Sequence, residues 1–276
     1  MTALKMLPAN LAARFTPDAF KRAAGARFVT PRAKKQSDTG RAWLESLTPV
    51  DFDAPCGTQR AWTGGEGPLV MFQHGWEADS ADLSTLGQAV MTAGFRVALI
   101  DGPAHGASTG SRAHMIRFAD GLAAARNHFG EPFAVVAHSM GFPAAVIAMT
   151  RFALSPQTVV ALGAPDALPR NVRFQARAMG LSDRAVELML DAVSYRFGED
   201  ARRLSVVEDA PAMAIPALFC HGGNDAIAPP DASERMAAAW PGAALSVFDG
   251  LGHRGVLRDD RVLKTVTEFL VKRGER

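Results

Sequence analysis

The chain has 276 residues, 48% of them hydrophobic, enough for one large buried core with a modest insertion, and this excludes a largely disordered protein. Its 30 basic and 28 acidic side chains leave a formal charge of +2, so no field of the strength that nucleic acid binding demands surrounds it. Its two cysteines, Cys56 and Cys220, stand far apart outside any Cys-x-x-Cys spacing, which argues against a disulfide framework and a zinc site and for reduced thiols.

In chain order, the first unit is residues 1–50, a Pro-, Gly- and charge-rich arm. Its opening Met-Thr-Ala-Leu-Lys-Met-Leu-Pro is too short in apolar run for a signal peptide, and nowhere does an apolar run of about 18 residues occur. A cytoplasmic location is expected. Up to Arg41 the arm holds nine basic residues (Lys5, Arg14, Lys21, Arg22, Arg27, Arg32, Lys34, Lys35, Arg41) against Asp18 and Asp38, so the basic excess is entirely N-terminal. Leu11, Phe15, Phe20 and Phe28 are interspersed. A solvated arm lying loosely on the domain, without membrane contact, is the expectation; an amphipathic segment touching a membrane or partner is the alternative.

Beyond the arm, apolar runs of strand length alternate with stretches of helical period, as in a mostly parallel sheet covered on both faces. Strands are expected at 59–63, 69–73, 95–100, 133–137, 159–162, 217–220 and 244–248, several of them apolar almost throughout. Helices are expected at 83–93, 113–129, 140–152, 231–240 and 259–272, the first two stopped by Gly94 and Gly130 and the fourth by Pro241. The alternation fails over 166–211, where Phe174, Met179, Leu188, Met189, Leu190, Tyr195 and Phe197 follow helical spacing. This stretch is expected to be a helical cap inserted into a core of 51–165 and 212–276. Its apolar residues either line an acyl pocket or pack cap on core.

The strongest local signal is Ala137-His138-Ser139-Met140-Gly141, between an apolar strand and a helix of small residues. A serine on a sharp strand-to-helix turn projects its Oγ out of the sheet. Small residues two positions to either side let the turn close, and the helix N-terminus favours a developing oxyanion. Three more motifs follow strand ends: Gln73-His74-Gly75-Trp76, His221-Gly222-Gly223-Asn224-Asp225 and Gly250-Leu251-Gly252-His253. Catalytic groups gather at that edge in open α/β sheets. A serine hydroxyl is a poor nucleophile, so a histidine must take its proton, with a carboxylate to orient the imidazole. His105 competes for the first role and Asp166 for the second. Asp249 reads as a loop acceptor, and Asn127, His114 and His128 as helix-surface residues.

These motifs resemble the α/β-hydrolase superfamily from about Gln59 to the C-terminus, with Ala137 in place of the first elbow glycine. Asp101-Gly102-Pro103-Ala104-His105-Gly106-Ala107-Ser108 resembles the family's D-x-P-G-H-G-x-S segment, with Ala104 replacing a glycine. The resemblance implies an α/β-hydrolase fold and the chain order Ser139, Asp225, His253 for nucleophile, orienting acid and base. It also implies that the backbone N–H groups of Trp76 and Met140 form the oxyanion hole, and that Asp101 and His74 are scaffolding. Serine rather than aspartate at the elbow argues against dehalogenase and epoxide-hydrolase chemistry. The expected activity is hydrolysis of a carboxylic ester on a small or medium apolar acyl substrate, with no metal or cofactor. Thioesterase, lactonase, amidase, cofactor-free peroxidase, carbon-carbon bond hydrolase and a ligand-binding sensor stay open. Arg170, Arg173 and Arg177 form either a solvated helix face or a receptor for an anionic substrate such as a coenzyme A ester.

Overall fold

In the computed structural model, which describes residues 6–32 and 37–275, the apolar runs join one eight-stranded sheet. The strands are β1 (Thr48–Ala54), β2 (Gly57–Gly64), β3 (Leu69–Gln73), β4 (Arg96–Ile100), β5 (Ala134–His138), β6 (Thr158–Leu162), β7 (Ala217–Gly222) and β8 (Ala244–Phe248). Their lateral order is β1-β2-β4-β3-β5-β6-β7-β8. β1 and β2 pair antiparallel and β2 meets β4 antiparallel, while the remaining pairings are parallel. The chain therefore has the α/β-hydrolase architecture expected of it.

β3, β5 and β6 are buried at every position because helices cover both faces, and this is why they read as continuous apolar runs. Alternate side chains supply two cores. Met71, Val135, Ala161 and Phe219 face the core closed by α5 (Met115–Phe129), α6 (Gly141–Arg151) and α10 (Asp231–Ala239). Val70, Phe72, Val136 and Val160 face the core closed by α3 (Asp38–Glu45), α4 (Ser84–Thr92) and α11 (Asp260–Gly274). β1 begins within the expected arm. It went unseen in the sequence because Asp51 and Asp53 flank its one fully buried residue, Phe52, and Pro49 is tolerated on an edge strand.

Between β6 and β7 the chain folds into α7 (Leu168–Met179), α8 (Asp183–Phe197) and the short α9 (Val206–Asp209). The arm corrects the expectation of a loosely lying segment. Pro8 and Pro17 occupy the first turns of α1 (Leu7–Phe15) and α2 (Pro17–Val29), where a missing N–H costs nothing. Both helices pack on α8. A Cβ on Gly25 of α2 would stand 3.1 Å from the Cβ of Ala192. Asn10 donates to the Gly180 carbonyl at 2.9 Å and accepts from the Ser182 N–H at 2.8 Å, and Arg184 donates to the Ala13 carbonyl at 3.0 Å. Lys5, Lys34 and Lys35 lie outside the described residues. His114 is also corrected: it is not a plain surface residue, since its ring stacks on Phe197 at 4.4 Å.

Candidate active site

The strand order turns between β3 and β5, since β3 proceeds to β4 on one side and β5 opens the other. Ligands gather at such a turning point, beyond the strand C-termini. Ser139 lies there, in the left-handed region at φ 53°, a conformation a side chain adopts only under constraint. Its N–H donates to the Leu162 carbonyl at 2.9 Å, and α6 starts two residues later. A Cβ on Gly141 would stand 2.6 Å from the carbonyl oxygens of both Gln73 and His74, so only glycine lets the elbow settle on the end of β3. A Cβ on Gly75 would come within 2.8 Å of the Ser139 Cβ, which seats the loop after β3 directly against the elbow. Ala137 is fully buried, so the elbow accommodates its methyl.

Two further strand ends converge on the serine. His253 Nε2 is 3.0 Å from Ser139 Oγ, and His253 Nδ1 is 2.7 Å from Asp225 Oδ2. Asp225 Oδ1 accepts from the N–H groups of Ile227 at 2.8 Å and Ala228 at 3.0 Å. Burial alone would raise the Asp225 carboxyl, but the hydrogen bonds from His221 and His253 outweigh it and hold the group well below the usual carboxylate range.

Sequence reasoning missed three residues around this pair. Gly163 lies just past β6 at φ 54°, where a side chain is strained, and a Cβ there would press close on the pair, 3.3 Å from Asp225 Oδ2 and 3.4 Å from His253 Nδ1. His221, fully buried at the end of β7, has Nε2 2.8 Å from the Ala228 carbonyl and 3.3 Å from Asp225 Oδ2. Two acceptors require a proton on Nε2, and Nδ1 lies 2.6 Å from the Ser233 hydroxyl oxygen. His221 thus holds the carboxylate from behind while His253 meets it from the front. The His-Gly pair of the sequence motif was the available signal. His138 Nε2 lies 3.0 Å from the His253 carbonyl and its ring packs on that of His253 at 4.7 Å. Burial, then the neighbouring His253, pushes the His138 imidazole down to about 3, so it stays neutral.

The rival residues have other partners. Asp166 Oδ2 accepts from Arg235 at 2.6 Å and pairs with Arg170 at 3.3 Å. His105 has Nδ1 2.8 Å from the Pro103 carbonyl, and its Nε2 accepts from the Glu77 N–H at 3.2 Å. Burial pushes it down to about 4. Asp101 accepts from the N–H groups of Ser80 at 2.8 Å and Ala107 at 2.9 Å, and His74 Nε2 accepts from the Gly102 N–H at 2.8 Å. Ala104 stands in the left-handed region at φ 60°. Neither the Trp76 nor the Met140 N–H donates to a backbone carbonyl among the described residues. Among those residues, no three His, Cys, Asp or Glu side chains gather as metal ligands do.

Strand order, elbow and convergent strand ends define an α/β-fold hydrolase. The sequence model described as the alpha/beta hydrolase family matches residues 69–265, and the chain belongs to that family. A comparison with curated proteins gave no match. Among solved structures, an esterase from Thermogutta terrifontis with malate bound is 21% identical, with a TM-score of 0.62 over 82% of this chain and 99% of that one. A meta-cleavage product hydrolase from Pseudomonas fluorescens is 17% identical, with a TM-score of 0.62 over 83% and 99%. A bromoperoxidase from Bacillus anthracis is 17% identical, with a TM-score of 0.64 over 82% and 100%. At these identities the likeness is one of fold.

Proposed function

We propose that the chain is a serine hydrolase that cleaves a carboxylic ester through an acyl-enzyme intermediate. The observation carrying this reading is the unbroken line from Asp225 Oδ2 through the His253 ring to Ser139 Oγ, with contacts of 2.7 and 3.0 Å. Asp225 accepts the Nδ1–H of His253, which leaves the Nε2 lone pair aimed at the serine hydroxyl. As Oγ bonds to the ester carbonyl carbon, Nε2 takes the hydroxyl proton. It then returns that proton to the departing alkoxide as the carbon-oxygen bond breaks, leaving the acyl group on Ser139. Water repeats the sequence and frees the acid. The Trp76 and Met140 N–H groups serve the anionic tetrahedral oxygen, each worth roughly 3 kcal/mol in the transition state.

Residues 166–211 act as a cap whose shape selects the acyl group. Arg170 faces Asp166 at 3.3 Å, Arg173 faces Glu187 at 2.8 Å and Arg177 faces Asp183 at 3.6 Å. These pairs engage the arginine row internally, which favours a plain ester over a coenzyme A ester. A cleft of about 780 Å³ between α7 and α10 includes these arginines, but neither Ser139 nor His253 lines it. Purified protein offered p-nitrophenyl esters of graded chain length should hydrolyse them, and Ser139→Ala should lose at least about 10³-fold in kcat. Equal rates for the two proteins would end the ester reading. Failure of Ser139 to label with a fluorophosphonate would favour a ligand-binding sensor.

A further inference from the structure

Helix α1 is built inside out. A helix that packs on a protein normally turns its large apolar side chains inward. In α1, Leu7, Leu11 and Phe15 recur every four residues on one face and stay 52%, 46% and 69% exposed. The opposite side is made of small residues, with Ala13 buried and Ala9 and Ala12 half-buried. The bonds of Asn10 to Gly180 and Ser182, and of Arg184 to the Ala13 carbonyl, hold this orientation. α1 cannot roll its leucines inward without breaking them. Met179, beside Gly180, adds another apolar side chain, 42% exposed. Single exposed leucines are ordinary, but a row held outward is a surface made to be covered.

Charge selects the cover. α1 and α2 carry Arg14, Lys21, Arg22 and Arg27 against one acid, Asp18. Arg14 borders the row, its guanidinium carbon 5.3 Å from the centre of the Phe15 ring, and Arg22 is exposed. A second copy of this face would bring like charges together as the apolar contact closed. An anionic lipid surface meets the cations with phosphates and takes the apolar row among its acyl chains. We propose that α1 docks this protein on anionic membranes, with Leu7, Leu11 and Phe15 at the acyl boundary and Arg14 and Arg22 among the headgroups. This reverses the expectation of an arm without membrane contact. The docking arm also reaches the site: Arg27 of α2 donates to Glu77 at 2.8 Å, and Glu77 follows Trp76. The proposal goes beyond the ester reading and does not require it.

Flotation of the full chain with phosphatidylglycerol–phosphatidylcholine vesicles, and with phosphatidylcholine alone, tests the docking. Wild type should float with the anionic vesicles and be released as salt rises. A variant carrying Leu7→Ser, Leu11→Ser and Phe15→Ser should bind at least about tenfold more weakly, with an unchanged melting temperature. If the triple variant melts lower, Phe15→Ser alone repeats the comparison. Arg14→Gln with Arg22→Gln should weaken binding to anionic vesicles selectively. Wild type that fails to float with anionic vesicles, or an apolar-row variant that floats as well as wild type, overturns the proposal. So does a vesicle-free wild-type dimer that the triple variant turns into a monomer, because a second copy then covers the face.

Discussion

Replacing Asp225 by asparagine removes a charge and almost no volume, and the bonds around it dictate what the amide must do. Oδ1 accepts from the N–H groups of Ile227 and Ala228 at 2.8 and 3.0 Å. An amide nitrogen cannot accept, so the asparagine carbonyl must take that position. Its NH₂ then stands where Oδ2 now meets His253 Nδ1 at 2.7 Å and His221 Nε2 at 3.3 Å. Facing a donor, His253 turns an unprotonated Nδ1 to the amide and carries its proton on Nε2, 3.0 Å from Ser139 Oγ. A protonated Nε2 has no lone pair for the serine proton, and the general base is lost. A forced tautomer of this kind costs about 10⁴-fold in kcat, or about 5.5 kcal/mol of transition-state stabilisation. The assay is steady-state hydrolysis of a p-nitrophenyl ester, with thermal melts to establish folding. Asp166→Asn is the control, because Asp166 bonds to Arg235 and Arg170 instead. It should change kcat less than about threefold and lower stability by about 1–3 kcal/mol. Asp225→Asn retaining more than about a tenth of wild-type kcat, or Asp166→Asn losing as much, would refute this assignment.

Two more outcomes follow from the same geometry. Gly163→Ala places a methyl 3.3 Å from Asp225 Oδ2 and 3.4 Å from His253 Nδ1, at φ 54°; kcat should drop by about 10- to 100-fold in a folded protein, and wild-type turnover would show that the pair has slack. Burial pushes the imidazoles of His105 and His114 down to about 4 and that of His138 to about 3. In the unfolded chain each titrates near ~6.5, so below that pH only the unfolded state gains the protons. The stability they contribute is present at neutral pH and is lost as pH falls toward the folded values, at up to about 1.4 kcal/mol per pH unit for each imidazole. Urea unfolding from neutral to mildly acidic pH should show this slope, and His114→Phe should reduce it by one share; a flat profile contradicts neutral burial.

Much of this was legible in local pattern. A strand buried on both faces is apolar over most of its length, so β3, β5 and β6 stood out. A strand-to-helix elbow closes only with small residues two positions to either side of its nucleophile, so 137–141 stood out too. Local pattern could not weigh Asp225 against Asp166, since both follow strand ends; the choice lies in distant partners, with Arg235 engaging Asp166 and two backbone N–H groups turning Asp225 toward His253. Nor could it reveal that Gly163 and His221 flank that pair, because their neighbours belong to other strands and loops. β1 was hidden because an edge strand is half polar, and the arm helices because their prolines look like breakers when read alone.

Residue order thus determined the strands and helices of the core and which chemistry-bearing side chains stand at strand ends, because burial and turn geometry act on near neighbours. Only the tertiary structure decided which of those side chains meet, and that α1 shows its leucines to solvent. Asn10 finds Gly180 and Ser182, and His253 finds Asp225 and Ser139, through contacts that exist only once the strands have taken their lateral order.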